Sequence, residues 1–217
     1  RARAGTTLAR LVTLMPRVLA LSPRRASSAT VEQLARVDLW FSAAKGFLMV
    51  EPTHSQWFGV TALAEALRAG EPQRLGRSLA IVGAALVASD SVAAWWGRQM
   101  LQRAHELAAV TQDPYLAGVL GLAEGHVALD VGRWGEARAH VEAGLHTLRT
   151  ACTGADWECA LGELARLRVL EELGDGPGLA QGVAAVGTRS RARGDRYTTL
   201  IVQRFEGLLA LRAGDVT

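Results

Sequence analysis

Runs of apolar residues at helical spacing, each broken by a short polar turn, follow one another along almost the whole chain. The strict alternation of a half-buried strand does not set in at any length, so the pattern predicts helices throughout. Three runs end on a glycine: Gly132, Gly174 and Gly214, in the turns Asp130-Val-Gly-Arg-Trp134, Glu172-Leu-Gly-Asp175 and Arg212-Ala-Gly-Asp215. Glycine is the usual helix stop, because the left-handed conformation needed there strains any residue that carries a Cβ. These stops lie 42 and 40 residues apart, a period that suits stacked helical hairpins. One hairpin cannot bury its apolar faces alone, so the sequence predicts an all-α fold of antiparallel hairpins stacked as a tetratricopeptide-like solenoid.

Helix boundaries are well marked. We read nine helices, over 31–50, 54–69, 72–88, 91–111, 114–131, 134–150, 155–173, 177–193 and 196–213. Thr30-Val-Glu-Gln33 and Thr53-His-Ser-Gln56 both fit the capping box, in which side chains satisfy the first backbone donors. Asp113 stands before Pro114, whose missing N–H costs nothing in a first turn, and Asp195 is a further cap. Gly70-Glu-Pro72 stops one helix and starts the next. Residues 118–151 carry the clearest repeat chemistry: Gly125, Gly132, Trp134, Ala137, Val141 and Leu145 follow the small–large pattern of a tetratricopeptide repeat. The small residues let two helices approach, and Trp134 is expected to fill the turn between them. Later units match more loosely.

Composition narrows the class. With 217 residues, 49% of them hydrophobic, the chain has the make-up of a well-buried protein and not of a disordered one. Asparagine is absent and Lys45 is the sole lysine among 24 basic residues, which fits a GC-rich genome. A net charge of +3 is too small to imply nucleic acid. The charge is uneven, with Arg1, Arg3, Arg10, Arg17, Arg24 and Arg25 preceding the first acid, Glu32. Residues 1–29 therefore read as a basic linker or N-terminal helix, and 30–217 as the repeat region. The absence of an initial methionine suggests an internal fragment or processed product. The longest uncharged apolar run, Ser78 to Ser89, is shorter than the roughly 20 residues a membrane span needs, so no transmembrane segment is expected. Cys152 and Cys159 lie seven residues apart. On one helix that places them about 10 Å apart, beyond disulfide reach, and predicts buried free thiols in a reducing cytoplasm.

Catalytic chemistry leaves little trace. His105-Glu-Leu-Ala-Ala109 lacks the second histidine of a zinc-protease helix, and the five histidines hold no i,i+4 pair. Gly174-Asp-Gly-Pro-Gly178 follows a helix and not a strand, and reads as a hairpin turn. Ser78 lies inside a helical run, without a nucleophile elbow. Glu171 and Glu172 are helix neighbours that diverge by roughly 100° and cannot act as a pair. Trp95 and Trp96 cannot both face one core seam, which makes them either gap fillers or an aromatic anchor for a partner. In the register of the Gly132 unit, His126 and Asp130 face inward, with Arg168, Glu171 and Arg204 as their counterparts in later units. These seven residues are the candidate interaction surface.

Three blocks are more specific than a generic repeat. Ala66-Leu-Arg-Ala-Gly-Glu-Pro-Gln-Arg74, then Cys152-Thr-Gly-Ala-Asp-Trp-Glu158 with a helix ending Glu172-Leu-Gly174, then Arg191-Ala-Arg-Gly-Asp-Arg-Tyr197 occur in this order. Together they resemble the C-terminal region of large serine/threonine protein kinases of the myxobacterial type. In those proteins a kinase domain is followed by a STAND-type ATPase module and then helical repeats. The resemblance covers residues 30–217. It implies a cytoplasmic, non-catalytic regulatory region that binds a protein or peptide, including the kinase or ATPase domains of its own chain. The glycine-rich loop, the catalytic loop, the metal-binding segment and a Walker phosphate loop are absent from the sequence. The resemblance accordingly assigns ATP and magnesium to other domains and no cofactor to this fragment. With no asparagine and one lysine, the tetratricopeptide clamp for chaperone tails is not expected. The alternatives are the sensor module of a transcription activator, to be marked by a neighbouring helix-turn-helix domain, and a stand-alone scaffold.

Overall fold

The computed structural model describes residues 2–21, 29–87 and 92–214, with side chains from residue 5 on. Among the described residues ten helices run in order: α1 Ala2–Leu19, α2 Val31–Phe47, α3 Pro52–Ala69, α4 Pro72–Val87, α5 Val92–Thr111, α6 Pro114–Asp130, α7 Trp134–Ala151, α8 Asp156–Glu172, α9 Gly176–Arg193 and α10 Arg196–Ala213. Among the described residues there is no strand. Consecutive helices pack in adjacent pairs, so the fold is the all-α helical-repeat architecture that the periodicity predicts. Arg1, Arg24, Arg25, Ser89 and Asp215 lie outside the described residues, as does Ser91, the predicted start of α5. Among the described residues no helix is long and apolar enough to cross a membrane.

Local chemistry explains the boundaries. Thr30 accepts from the Gln33 backbone while the Gln33 side chain accepts from the Thr30 backbone, a complete capping box. Asp113, Asp175 and Asp195 cap α6, α9 and α10 by accepting backbone N–H groups three residues on. Gly132, Gly174 and Gly214 take φ of 76°, 69° and 78°, the left-handed stops that the spacing predicts. The second capping box does not form. α3 begins at Pro52, so Thr53 lies within its first turn and Glu51 stands at the cap. Proline is preorganised for the first helical position and moves the start ahead of the threonine.

The chain divides into two compact units, Arg1–Ala123 and Glu124–Thr217, with the division inside α6. In the first unit, α1 turns Leu11, Leu14, Met15 and Val18 into the core, a stripe at spacing three, one and three. Two of its arginines turn to α3: Arg10 donates to Thr61 Oγ1 at 2.8 Å and Arg17 to the Leu67 carbonyl at 3.3 Å. α4 and α5 approach through glycine. A Cβ on Gly97 would stand 2.6 Å from the Gly83 carbonyl oxygen and 2.8 Å from the Val87 nitrogen, so no larger residue fits there. On α2 and α3 the rings of Trp40, Phe47, Trp57 and Phe58 form one cluster, with Trp40 edge-on to Trp57 at 6.0 Å and stacked on Phe58 at 5.7 Å.

The second unit packs by interdigitated side chains. Leu167, Leu170, Leu179, Val183, Val186, Val202 and Phe205 form one buried cluster shared by α8, α9 and α10. Each such side chain contributes about 1.5–3 kcal/mol by leaving water. A smaller cluster of Ala128, Leu129, Ala137 and Val169 joins α6, α7 and α8. Gly125 seats against Val141, as the repeat pattern predicts. Trp134 is covered only in part. It opens α7 with 39% of its surface exposed, and the α6–α7 hairpin is closed farther along by Gly125 and Ala137.

Candidate functional site

Two groups of polar side chains in the second unit organise its surface. The first runs along α6, α8 and α10, the leading helices of successive hairpins. Asp130 at the end of α6 pairs with Arg168 of α8 at 3.6 Å. One turn farther along α8, both carboxylate oxygens of Glu171 accept from Arg204 Nη2 of α10 at 3.1 Å. Residues 168 and 171 are three apart on one helix and so share a face. The guanidinium of Arg204 also lies 4.9 Å over the ring of Phe205. Asp130, Arg168, Glu171 and Arg204, assigned to one face by register, are thus joined in two inter-repeat pairs. His126 lies one turn before Asp130 on α6 and is half-buried.

Trp95 and Trp96 belong to the first unit, on α5. Trp95 is 44% exposed and Trp96 is partly buried, so the two rings do divide between solvent and packing. In the same unit Asp38 of α2 receives Arg74 through two nitrogens, at 2.9 and 2.8 Å, and Arg77 as well. Burial pushes the Asp38 pKa up. The hydrogen bond from Arg74 and the charges of Arg77 and Arg74 outweigh it and hold the carboxyl below its ordinary value. Its hydrogen bond to Asp38 raises the pKa of Arg74.

The second group centres on Glu163, which the sequence reading passed over. This α8 carboxylate is 4% exposed. Its Oε1 accepts from Arg149 of α7 and from Arg189 of α9, the latter at 2.7 Å, and its Oε2 accepts from Arg166 at 3.0 Å. One buried negative charge therefore holds three guanidinium groups from three helices. Beside it opens a cavity of about 340 Å³ whose wall includes Arg149, Arg189, Cys152 and Cys159. The signal was legible in part: Glu163 occupies a helical position otherwise taken by apolar residues, and buried carboxylates are paired. The arginines from α7 and α9 follow no local spacing and could not be assigned to it.

The thiols also depart from expectation. α7 ends at Ala151 and α8 begins at Asp156, with Gly154 in the left-handed conformation between them. Cys152 and Cys159 are thus not seven residues apart on one helix. Neither forms a disulfide, both are half-exposed, and both line the one cavity. Burial pushes the Cys159 thiol pKa up, against the lowering charge of Arg149, so the thiol form prevails at neutral pH. The Gly174–Gly178 segment is the α8–α9 turn, with Asp175 accepting the Gly178 N–H at 2.9 Å. Among the described residues no group of histidine, cysteine or acidic side chains is placed to hold a metal ion. Comparison with protein families, with curated proteins and with solved structures finds no match for this chain.

Proposed function

We propose that this chain is a non-catalytic, protein-binding helical-repeat region that relays a signal within a serine/threonine kinase carrying an ATPase module. The observation that carries the binding role is the pair of ion pairs across α6, α8 and α10, Asp130–Arg168 and Glu171–Arg204. Arg168 and Arg204 are 48% and 61% exposed, and pairs open to solvent on the arginine side contribute about 0–1 kcal/mol. A partner segment of alternating charge can therefore exchange them at little cost, and charged groups so placed favour selective encounter more than raw affinity. The kinase context rests on the ordered blocks at 66–74, 152–158 and 191–197. Relay of a signal requires the partner to bind with different affinity when the neighbouring domains are active and inactive.

The test uses the purified 217-residue chain with the kinase and ATPase segments encoded in the same polypeptide. Direct binding weakened about tenfold or more by a double reversal, Arg168→Glu with Arg204→Glu, is the expected result. A reading frame without either domain would remove the kinase context. Binding indifferent to the reversal would remove the assigned face. A cytoplasmic location belongs to the same proposal and is tested by fractionating the source cells.

A further inference from the structure

The cavity beside Glu163 lies on the first half of α8, whereas the ion pairs of the proposed partner face lie on its second half. The cavity inference stands apart from the partner reading and needs neither kinase nor ATPase. We propose that this cavity is a binding site for the phosphoryl group of a small phosphomonoester, read by Arg149 and Arg189.

Charge is the first argument. Arg149 and Arg189 of the cavity wall, with Arg166 from off the wall, converge on the single carboxylate of Glu163, so the two wall arginines exceed that carboxylate by one positive charge. Two guanidinium groups share one oxygen, Oε1, an arrangement of like charges that a second anion relieves. The other acids of the cavity wall are engaged. Asp156 pairs with Arg193 at 2.8 Å, and Asp195 accepts the Thr198 N–H at 3.0 Å at the positive end of α10. A phosphomonoester carries about −1.5 to −2 at neutral pH and offers three acceptor oxygens, more charge and more acceptors for the two forks than a single carboxylate brings.

Donor geometry is the second. Each guanidinium has five N–H groups in a rigid fork, and Glu163 engages Arg149 and Arg189 through one nitrogen each. Both side chains line the cavity and remain 45% and 50% exposed, so donors are left over for three phosphoryl oxygens. Glu163, itself held by Arg166, fixes the two forks relative to one another before any ligand arrives. The third argument is size and lining. About 340 Å³ falls within the range of small-molecule sites, and Leu148, Ala160 and Val186 give one wall an apolar character suited to an organic body.

The experiment is calorimetric titration of the intact chain with phenyl phosphate, inorganic phosphate and benzoate at low salt. Each titration is paired with the alkylation rate of the two thiols that line the site. Phenyl phosphate should bind at one site, about tenfold or more tighter than benzoate, and should slow alkylation of Cys152 and Cys159. Inorganic phosphate binding as tightly as phenyl phosphate would still support phosphoryl recognition and would name free phosphate as the source. Arg189→Gln should weaken phenyl phosphate by about tenfold or more. Arg149→Lys, which keeps the charge and loses the fork, should weaken it less. The proposal is overturned if neither phosphate binds saturably, if benzoate binds equally well, or if binding leaves the thiols unprotected. These three readings use the unmodified protein, so a variant that fails to fold does not spare it.

Discussion

The two units of this chain are both built from helices but join them differently. In the first, α4 and α5 meet at Gly83 and Gly97, backbone against backbone, and Asp38 gathers Arg74 and Arg77 of one helix. In the second, α8, α9 and α10 meet through leucine, valine and phenylalanine side chains, and a buried carboxylate gathers arginines from three helices. Tolerance to substitution should differ accordingly. Where backbones touch, an added methyl has nowhere to go. Where side-chain ends touch, the neighbour can rotate, and removed volume or unbalanced charge becomes the sensitive variable.

The largest effect should come from taking volume out of the second unit. Phe205→Ala should cost about 3–5 kcal/mol and raise hydrogen exchange in α8–α10. Unchanged exchange in those helices would mean that the cluster does not stabilise the unit. Adding volume sharpens the contrast. Gly97→Ala should lower stability by about 2–3 kcal/mol in urea unfolding, even though alanine favours helix by about 1 kcal/mol. Gly182→Ala, whose Cβ would meet the end of Leu167 at 2.8 Å and not backbone, should stay within about 1 kcal/mol of the parent. Equal costs at the two glycines would break the comparison.

Charge separates the units on a smaller scale. Glu163→Gln removes the negative centre of three guanidinium groups, and should cost about 1–3 kcal/mol once their partial exposure is allowed for. Thermal unfolding at low and high salt checks this: added salt should narrow the gap, because it screens the uncompensated arginines. Asp38→Asn should cost about 0.5–1 kcal/mol at neutral pH, since Asp38 is more than a third exposed. The Asp38 pKa is lower folded than unfolded, so its stabilisation is complete above the ordinary carboxylate pKa. It is lost as pH falls through the lower folded value. Melting temperatures of wild type and Asp38→Asn should therefore converge in acid, and a constant gap down to low pH would contradict the assignment.

What the sequence disclosed follows the range of the interactions involved. Glycine stops, aspartate caps and the Thr30 box are settled within a few residues, and the structure has them where the chain places them. Pro52 took precedence over Thr53 because two valid start signals compete and a single sequence does not rank them. The pairing of Asp130 with Arg168 and of Glu171 with Arg204 follows repeat register, which carries a local pattern across some 40 residues. The Glu163 centre has no such guide. Arg189 reaches it from 26 positions away, in a direction that hairpin geometry alone determines. Trp134 is more exposed than its place in the repeat pattern suggests, because that pattern specifies residue type and not depth of burial.

The 17 residues of α8 form a rod about 25 Å long, with Glu163 in its first half and Arg168 and Glu171 in its second. A rod cannot tilt at one end alone. A rotation of about 5° pivoting near its start carries its far end through roughly 2 Å, by the rise of the helix. That displacement is enough to make or break contacts of the length that Glu171 keeps with Arg204. Helix α8 therefore holds the Glu163 centre and the Arg168 and Glu171 pairs on one element, their spacing set by the helical rise.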